Sequence, residues 1–136
     1  MLDQKKWSAL ICDDERDLAN ELGEFFDAIG WSVTVCYGGF EANRLLASGL
    51  APDCLLTDLC LGDLDGSRVV ASARLLPVPI RPLVMIIITG NILGSATKES
   101  LDVDLLYQKP VDPIALAKNI EEVLLPLKAQ TGANPR

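Results

Sequence analysis

The chain contains no histidine. It therefore has no imidazole to act as general base, metal ligand or phosphoryl carrier. A zinc site is improbable too. The four cysteines, Cys12, Cys36, Cys54 and Cys60, form no C-x-x-C pair and have no histidine to complete a tetrahedral set. They read as buried, reduced thiols of a cytosolic protein. Basic residues are outnumbered: 12 Lys and Arg against 19 Asp and Glu leave a net charge of -7. That balance argues against a nucleic-acid surface. Long apolar runs are missing. The longest, Leu83 to Ile88, is strand-sized and far below the roughly 18 residues of a membrane helix. Met1 to Lys6 is polar, and no signal-peptide core follows it. The expected location is the cytoplasm, with neither membrane nor nucleic acid as partner. No internal repeat, low-complexity segment or G-x-G-x-x-G stretch is present.

What is there belongs to an ordinary globular chain. With 136 residues, 49% hydrophobic and 23% charged, it reads as one domain over 1–136. Its core spans about residues 7–125, and 126–136 form a loose tail beginning at Pro126. Short apolar runs alternate with helical periodicity five times. Trp7 to Cys12 reads as a first strand. Leu18, Leu22, Phe25, Phe26 and Ile29 follow at helical spacing, with Asp14 or Asp17 as cap and Gly30 at the end. Trp31 to Tyr37 alternates polar and apolar, as an edge strand does. Glu41 to Ala47 is a second helix, Pro52-Asp53 leads into a third strand that ends at Asp58, and Val69 to Leu76 is a third helix ended by Pro77. Leu83 to Ile88 is a fourth strand and Val103 to Tyr107 a fifth. Ser95 to Leu101 is a short fourth helix, and Pro113 opens the last one. Strand and helix in alternation predict an α/β fold: a doubly wound, five-stranded parallel sheet covered on both faces.

In such sheets ligands sit outside the carboxyl ends of the strands. Asp13 and Asp14 follow the first strand, Asp58 the third, Thr89 the fourth and Lys109 the fifth. Each has an ordinary role open to it: helix cap, loop residue, capping hydroxyl, solvated lysine. Together they describe something more specific. Three converging carboxylates repel one another. A hard divalent cation relieves that, and Mg²⁺ takes a few carboxylates plus water. A hydroxyl and an ammonium would complete a shell around phosphoryl oxygens, and a carboxylate can be the phosphoryl acceptor.

These residues resemble the receiver domain of bacterial two-component response regulators. The match rests on Asp13-Asp14, Leu56-Thr57-Asp58-Leu59, Asp65-Gly66, Thr89-Gly90 and Lys109-Pro110. The resemblance implies a flavodoxin-like (βα)5 fold and a signalling switch rather than a conventional enzyme. It implies that Asp58 accepts a phosphoryl group from a histidine kinase or histidine phosphotransfer protein. Asp13, Asp14, Asp58 and the backbone carbonyl of Cys60 would hold Mg²⁺. Thr89 and Lys109 would contact the phosphoryl oxygens, and a cis peptide would precede Pro110. The output would be contact with an unidentified protein target or effector domain, with a homodimer left open.

The chain also departs from that family. Gly62 stands where proline is common. Leu106 occupies the place of the switch aromatic, three residues before Lys109, and Tyr107 falls on the other face of the strand. The segment from Thr89 to Lys109 is short. Cys60 and Asn91 stand where dephosphorylation is tuned. A second reading is a pseudo-receiver, a non-phosphorylated interaction or dimerisation module. A phosphatase is disfavoured because Cys60 replaces the usual second aspartate, and a dinucleotide enzyme lacks its glycine loop.

Overall fold

The structure is a computed structural model that describes residues 6–90 and 97–130. Strands β1 (Ser8–Cys12), β2 (Ser32–Cys36), β3 (Cys54–Thr57), β4 (Val84–Thr89) and β5 (Leu105–Gln108) form one parallel sheet in the order β2-β1-β3-β4-β5. The three inner strands are almost wholly buried. They are apolar at nearly every position, because a parallel strand covered on both faces has no solvent side. β2 is half-exposed at the edge, as its alternation predicts. The order reverses between β1 and β3, which opens the crevice at their carboxyl ends.

Two apolar layers cover the sheet. On one face Ala9, Ile11, Leu56, Ile86 and Ile88 pack with α1 (Arg16–Ala28) and α5 (Pro113–Gln130) through Phe26, Leu116, Ile120 and Leu124. On the other, Leu10, Leu55, Met85 and Ile87 meet α2 (Gly39–Ala47) and α3 (Gly66–Arg74) through Leu46, Val69, Val70 and Ala73. Phe26 and Trp31 close the first layer with rings 4.6 Å apart. Helix α4 (Lys98–Leu101) is a single turn. Thr97 and Ser100 cap it reciprocally, and Asp102 ends it at φ 58°. Among the described residues no helix is long and apolar enough to cross a membrane.

Several boundaries differ from the sequence reading. Helix α1 starts after Glu15, and neither Asp14 nor Asp17 is its cap. Asp13 instead takes the Glu15 amide at 3.0 Å, which pins the strand-to-helix turn. Strand β5 begins two residues late, at Leu105; just before it the Asp104 amide donates to the Met85 carbonyl and the Asp104 carboxylate accepts from the Met85 amide, each at 2.8 Å. Helix α5 does not stop at Pro126 but continues to Gln130, so the tail is not loose from 126. Proline removes one helical hydrogen bond. Here Pro126 and Glu122, whose carbonyl loses that bond, both lie on the exposed side where water can serve it. Of the expected fourth helix, residues 95 and 96 lie outside the described residues, as does Asn91.

The last turns of α5 are fastened at the amino end of the sheet. Asp53, just before β3, accepts the Ser8 amide at 2.8 Å, the Ser8 hydroxyl at 3.2 Å and the Lys128 ammonium at 2.6 Å.

Candidate functional site

The opposite end of the sheet gathers the acids. Asp13 follows β1 directly, Asp58 follows β3 directly, and Thr89 is the last residue of β4. All three are buried. Asp14 is exposed. Carboxylate oxygens of Asp13, Asp14 and Asp58 lie within 4.8 Å of one another. All donors in that cluster are hard oxygens on short side chains, the set that suits a small divalent cation.

Lys109 reaches into this group from the loop after β5. Its Nζ is 2.9 Å from Asp13 Oδ2, 3.0 Å from Glu15 Oε1 and 3.4 Å from Asp58 Oδ2. Its amide donates to the Thr89 carbonyl at 2.8 Å, so β4 carries the lysine backbone. The Lys109–Pro110 peptide is cis. Burial pulls the lysine pKa down. Hydrogen bonds to Asp13 and Glu15 and the charges of Asp13 and Asp58 outweigh that and hold it above its ordinary range.

Asp58 is pushed the other way. Burial and then the Asp13 charge raise its pKa, and Lys109 only partly compensates. Its contacts are long: the Cys60 amide at 3.4 Å on one oxygen, Lys109 at 3.4 Å on the other. The lysine gives its shortest bonds to Asp13 and Glu15, so buried Asp58 has the weaker share of it.

The loop beyond Asp58 is held by close backbone approach. The Gly66 amide donates to the Leu59 carbonyl at 2.7 Å, and a Cβ on Gly66 would stand 2.0 Å from the Asp58 carbonyl oxygen. Gly62 has φ 84°, a conformation closed to the proline common at that place in the resembled pattern. Cys60 is exposed, unlike the other three thiols, and corrects the expectation that all four are buried.

The structure thus brings Asp13, Asp14, Asp58 and Lys109 together, with Thr89 at the next strand end. Two contributors escape sequence reasoning. Glu15 reads as a first-turn acid but shares Lys109. Asp63 reads as a turn former but accepts the Gly39 and Phe40 amides at 2.9 and 3.2 Å. The Gly39 bond foremost keeps its carboxyl below the usual range. Asp63 lies 24 residues from Gly39, so no local pattern could pair them. Leu106 packs in the α3-side layer, and Tyr107 lies on the α5 side with its hydroxyl accepting from Asn119 at 3.0 Å. The two are on opposite faces, as alternation predicts.

Residues 9–121 match the family described as the response regulator receiver domain. Among curated proteins, the chain is 27% identical over 115 residues to the regulatory protein VanRc of Enterococcus gallinarum, covering 85% of this chain and 48% of that one. It is 28% identical over 115 residues to the transcriptional regulatory protein GlrR of Escherichia coli strain K12, covering 85% of this chain and 26% of that one. The chain therefore spans half or less of the length of these relatives. Among solved structures, the CheY-like receiver domain protein of Methanospirillum hungatei superposes with a TM-score of 0.79 at 22% identity, covering 93% of this chain and 99% of the other. That of Methylobacillus flagellatus gives 0.72 at 24%, covering 86% and 98%. At such identities these two likenesses speak for the fold.

Proposed function

The chain belongs to the response regulator receiver domain family of two-component signalling, and from that premise we propose that Asp58 is its phosphoacceptor. The observation that carries this is the state of Asp58: buried, crowded by Asp13 and Asp14, and bonded by donors no closer than 3.4 Å. Such a carboxylate gains from any group that brings positive charge or takes it out of the ionised state. In the proposed step, a carboxylate oxygen of Asp58 attacks the phosphorus of a phosphohistidine on a kinase or phosphotransfer protein. The P–N bond breaks, a P–O bond forms, and the donor imidazole, already protonated on its other ring nitrogen, leaves as the neutral imidazole.

Asp13, Asp14, Asp58 and the Cys60 carbonyl would hold Mg²⁺, which supplies positive charge against the transferring phosphoryl oxygens. The donor chemistry supports this, with exposed Asp14 best placed to share a cation with water. Lys109 would leave Glu15 and Asp58 for a phosphoryl oxygen, and the Thr89 hydroxyl would take another. The activity is a switch: the added charge biases a nearby loop and the surface beyond it. The proposed partners are a cytoplasmic histidine kinase or phosphotransfer protein and a protein target or effector domain, with a homodimer as one form of output. One observation favours the pseudo-receiver reading. Tyr107 is tied to Asn119 on the far face, so among the described residues no aromatic of β5 faces the Thr89 side.

Intact-protein mass spectrometry decides between them. After incubation with Mg²⁺ and acetyl phosphate, one phosphoryl group is expected on the protein and none on Asp58→Asn. No Mg²⁺-dependent gain, in conditions that label another receiver, establishes the pseudo-receiver instead.

A further inference from the structure

Directly behind the carboxylates lies a cavity of about 190 Å³ between helix α1 and the sheet. Its floor is Ile11, Leu56 and Ile88, three strand residues on the α1 side of the sheet. Leu22 of α1 forms a wall, while Ala19 and Val111, both short, leave the space open. Asp13, Asp58 and Lys109 stand at the end where the strands terminate. The pocket is partly open to solvent at that end, and its lining is almost wholly apolar.

The dimensions and chemistry select an occupant. An enclosed water needs two to four polar partners, and only one end of this cavity has them. An apolar void of roughly 150 Å³ stays dry and accepts benzene. Drug-sized ligands need roughly 300–1,000 Å³ and are too large. The polar end holds two carboxylates against one ammonium, so it suits a donor and repels an anion. We propose that this cavity is a binding site for a small flat aromatic molecule carrying a single N–H or O–H donor, ring among the aliphatic side chains and donor toward Asp13 and Asp58.

Such a ligand would touch both segments that bring charge to the site. Ala19 is one turn into the helix that follows Asp13 and Glu15, and Val111 is two residues beyond Lys109. Occupancy and the acid cluster would then be coupled, each altering the affinity of the other by the same factor. The site does not depend on Asp58 being phosphorylated.

The test is methyl NMR of the full chain titrated with indole. Saturable shifts are expected at Ile11, Leu22, Leu56, Ile88 and Val111, with a midpoint on the order of 1 mM for about nine heavy atoms. Leu10 and Leu55, on the opposite face, should stay still. Val111→Phe fills the space and should weaken the response at least tenfold without lowering Tm. Ala19→Leu is the second filling variant should the first fail to fold. Indole binding is read on the wild-type protein without Mg²⁺ or phosphodonor, so its outcome is separate from that of the labelling of Asp58. Absence of saturable shifts up to the solubility of indole, or an undiminished response in both filled variants, overturns the proposal. Equal affinity for toluene overturns its donor requirement.

Discussion

Strand β3 carries an aspartate at each end, Asp53 before it and Asp58 after it, and each faces a lysine from the last part of the chain. The two are chemically alike and are used in opposite ways. Asp53 is saturated: an amide at 2.8 Å, a hydroxyl at 3.2 Å and an ammonium at 2.6 Å surround its oxygens. Asp58 is buried where Asp53 is only half-buried, yet its donors stand at 3.4 Å, and two further carboxylates crowd it. A satisfied charge closes a fold. A charge left in want of partners is one that a ligand can satisfy, and perturbed groups gather at functional sites for that reason.

Five substitutions would break or sharpen this contrast. The largest effect is expected from Gly66→Ala, whose methyl would press the Asp58 carbonyl. A backbone clash cannot be relieved by a rotamer, so more than about 3 kcal/mol should be lost in urea unfolding. Second, Asp14→Ala should weaken Mg²⁺ by about 100-fold in a fluorescence or calorimetric titration, since a carboxylate ligand is lost; unchanged affinity would move the cation elsewhere.

Third, Asp53 and Asp58 should respond with opposite sign. Asp53→Ala leaves Ser8 and Lys128 without their acceptor and should lose about 2–3 kcal/mol, with phosphoryl labelling intact. Asp58→Asn should raise the urea midpoint at pH 7.5. The sign follows from its raised pKa: the folded protein binds this proton more tightly than the unfolded chain. Wild-type stability is therefore lost as pH rises through the folded pKa, and the advantage of the asparagine should vanish near about pH 4. A stability gain that persists unchanged at low pH would contradict this account of Asp58. The smallest effect is expected from Tyr107→Phe. It removes one half-buried hydrogen bond, about 1 kcal/mol, and should leave labelling within about twofold. A large loss of labelling would restore Tyr107 as part of the switch.

The strands and the acids at their ends were legible in the sequence, because both are written locally. An inner strand such as Leu83 to Ile88 is apolar at every position, and Asp58 sits where such a run stops. What was not legible depends on partners distant in the chain. Asp53 meets Lys128 across 75 residues, and nothing beside either one marks the meeting. Glu15 looks like any first-turn acid until β5 delivers Lys109 beside it. Pro126 is a helix breaker by propensity, and its tolerance depends on which side of α5 meets water. The cavity is a negative feature, made by Ala19 and Val111 being short at the same place, and side-chain length carries no periodicity.

Helix α5 has 18 residues, so it is about 27 Å long. It starts at Pro113, four residues after Lys109, and its last turn holds Lys128 against Asp53. One stiff rod thus joins the two lysines outside the sheet. If β4, which holds the Lys109 amide through Thr89, shifts when that lysine takes a new partner, the rod moves at its near end while its far end is clamped. A dye pair placed at 112 and 129 would stay at a fixed separation, whereas one probe on the rod and one on α1 would register the tilt. The helix is in this sense the beam of a balance, with Asp53 as its fulcrum.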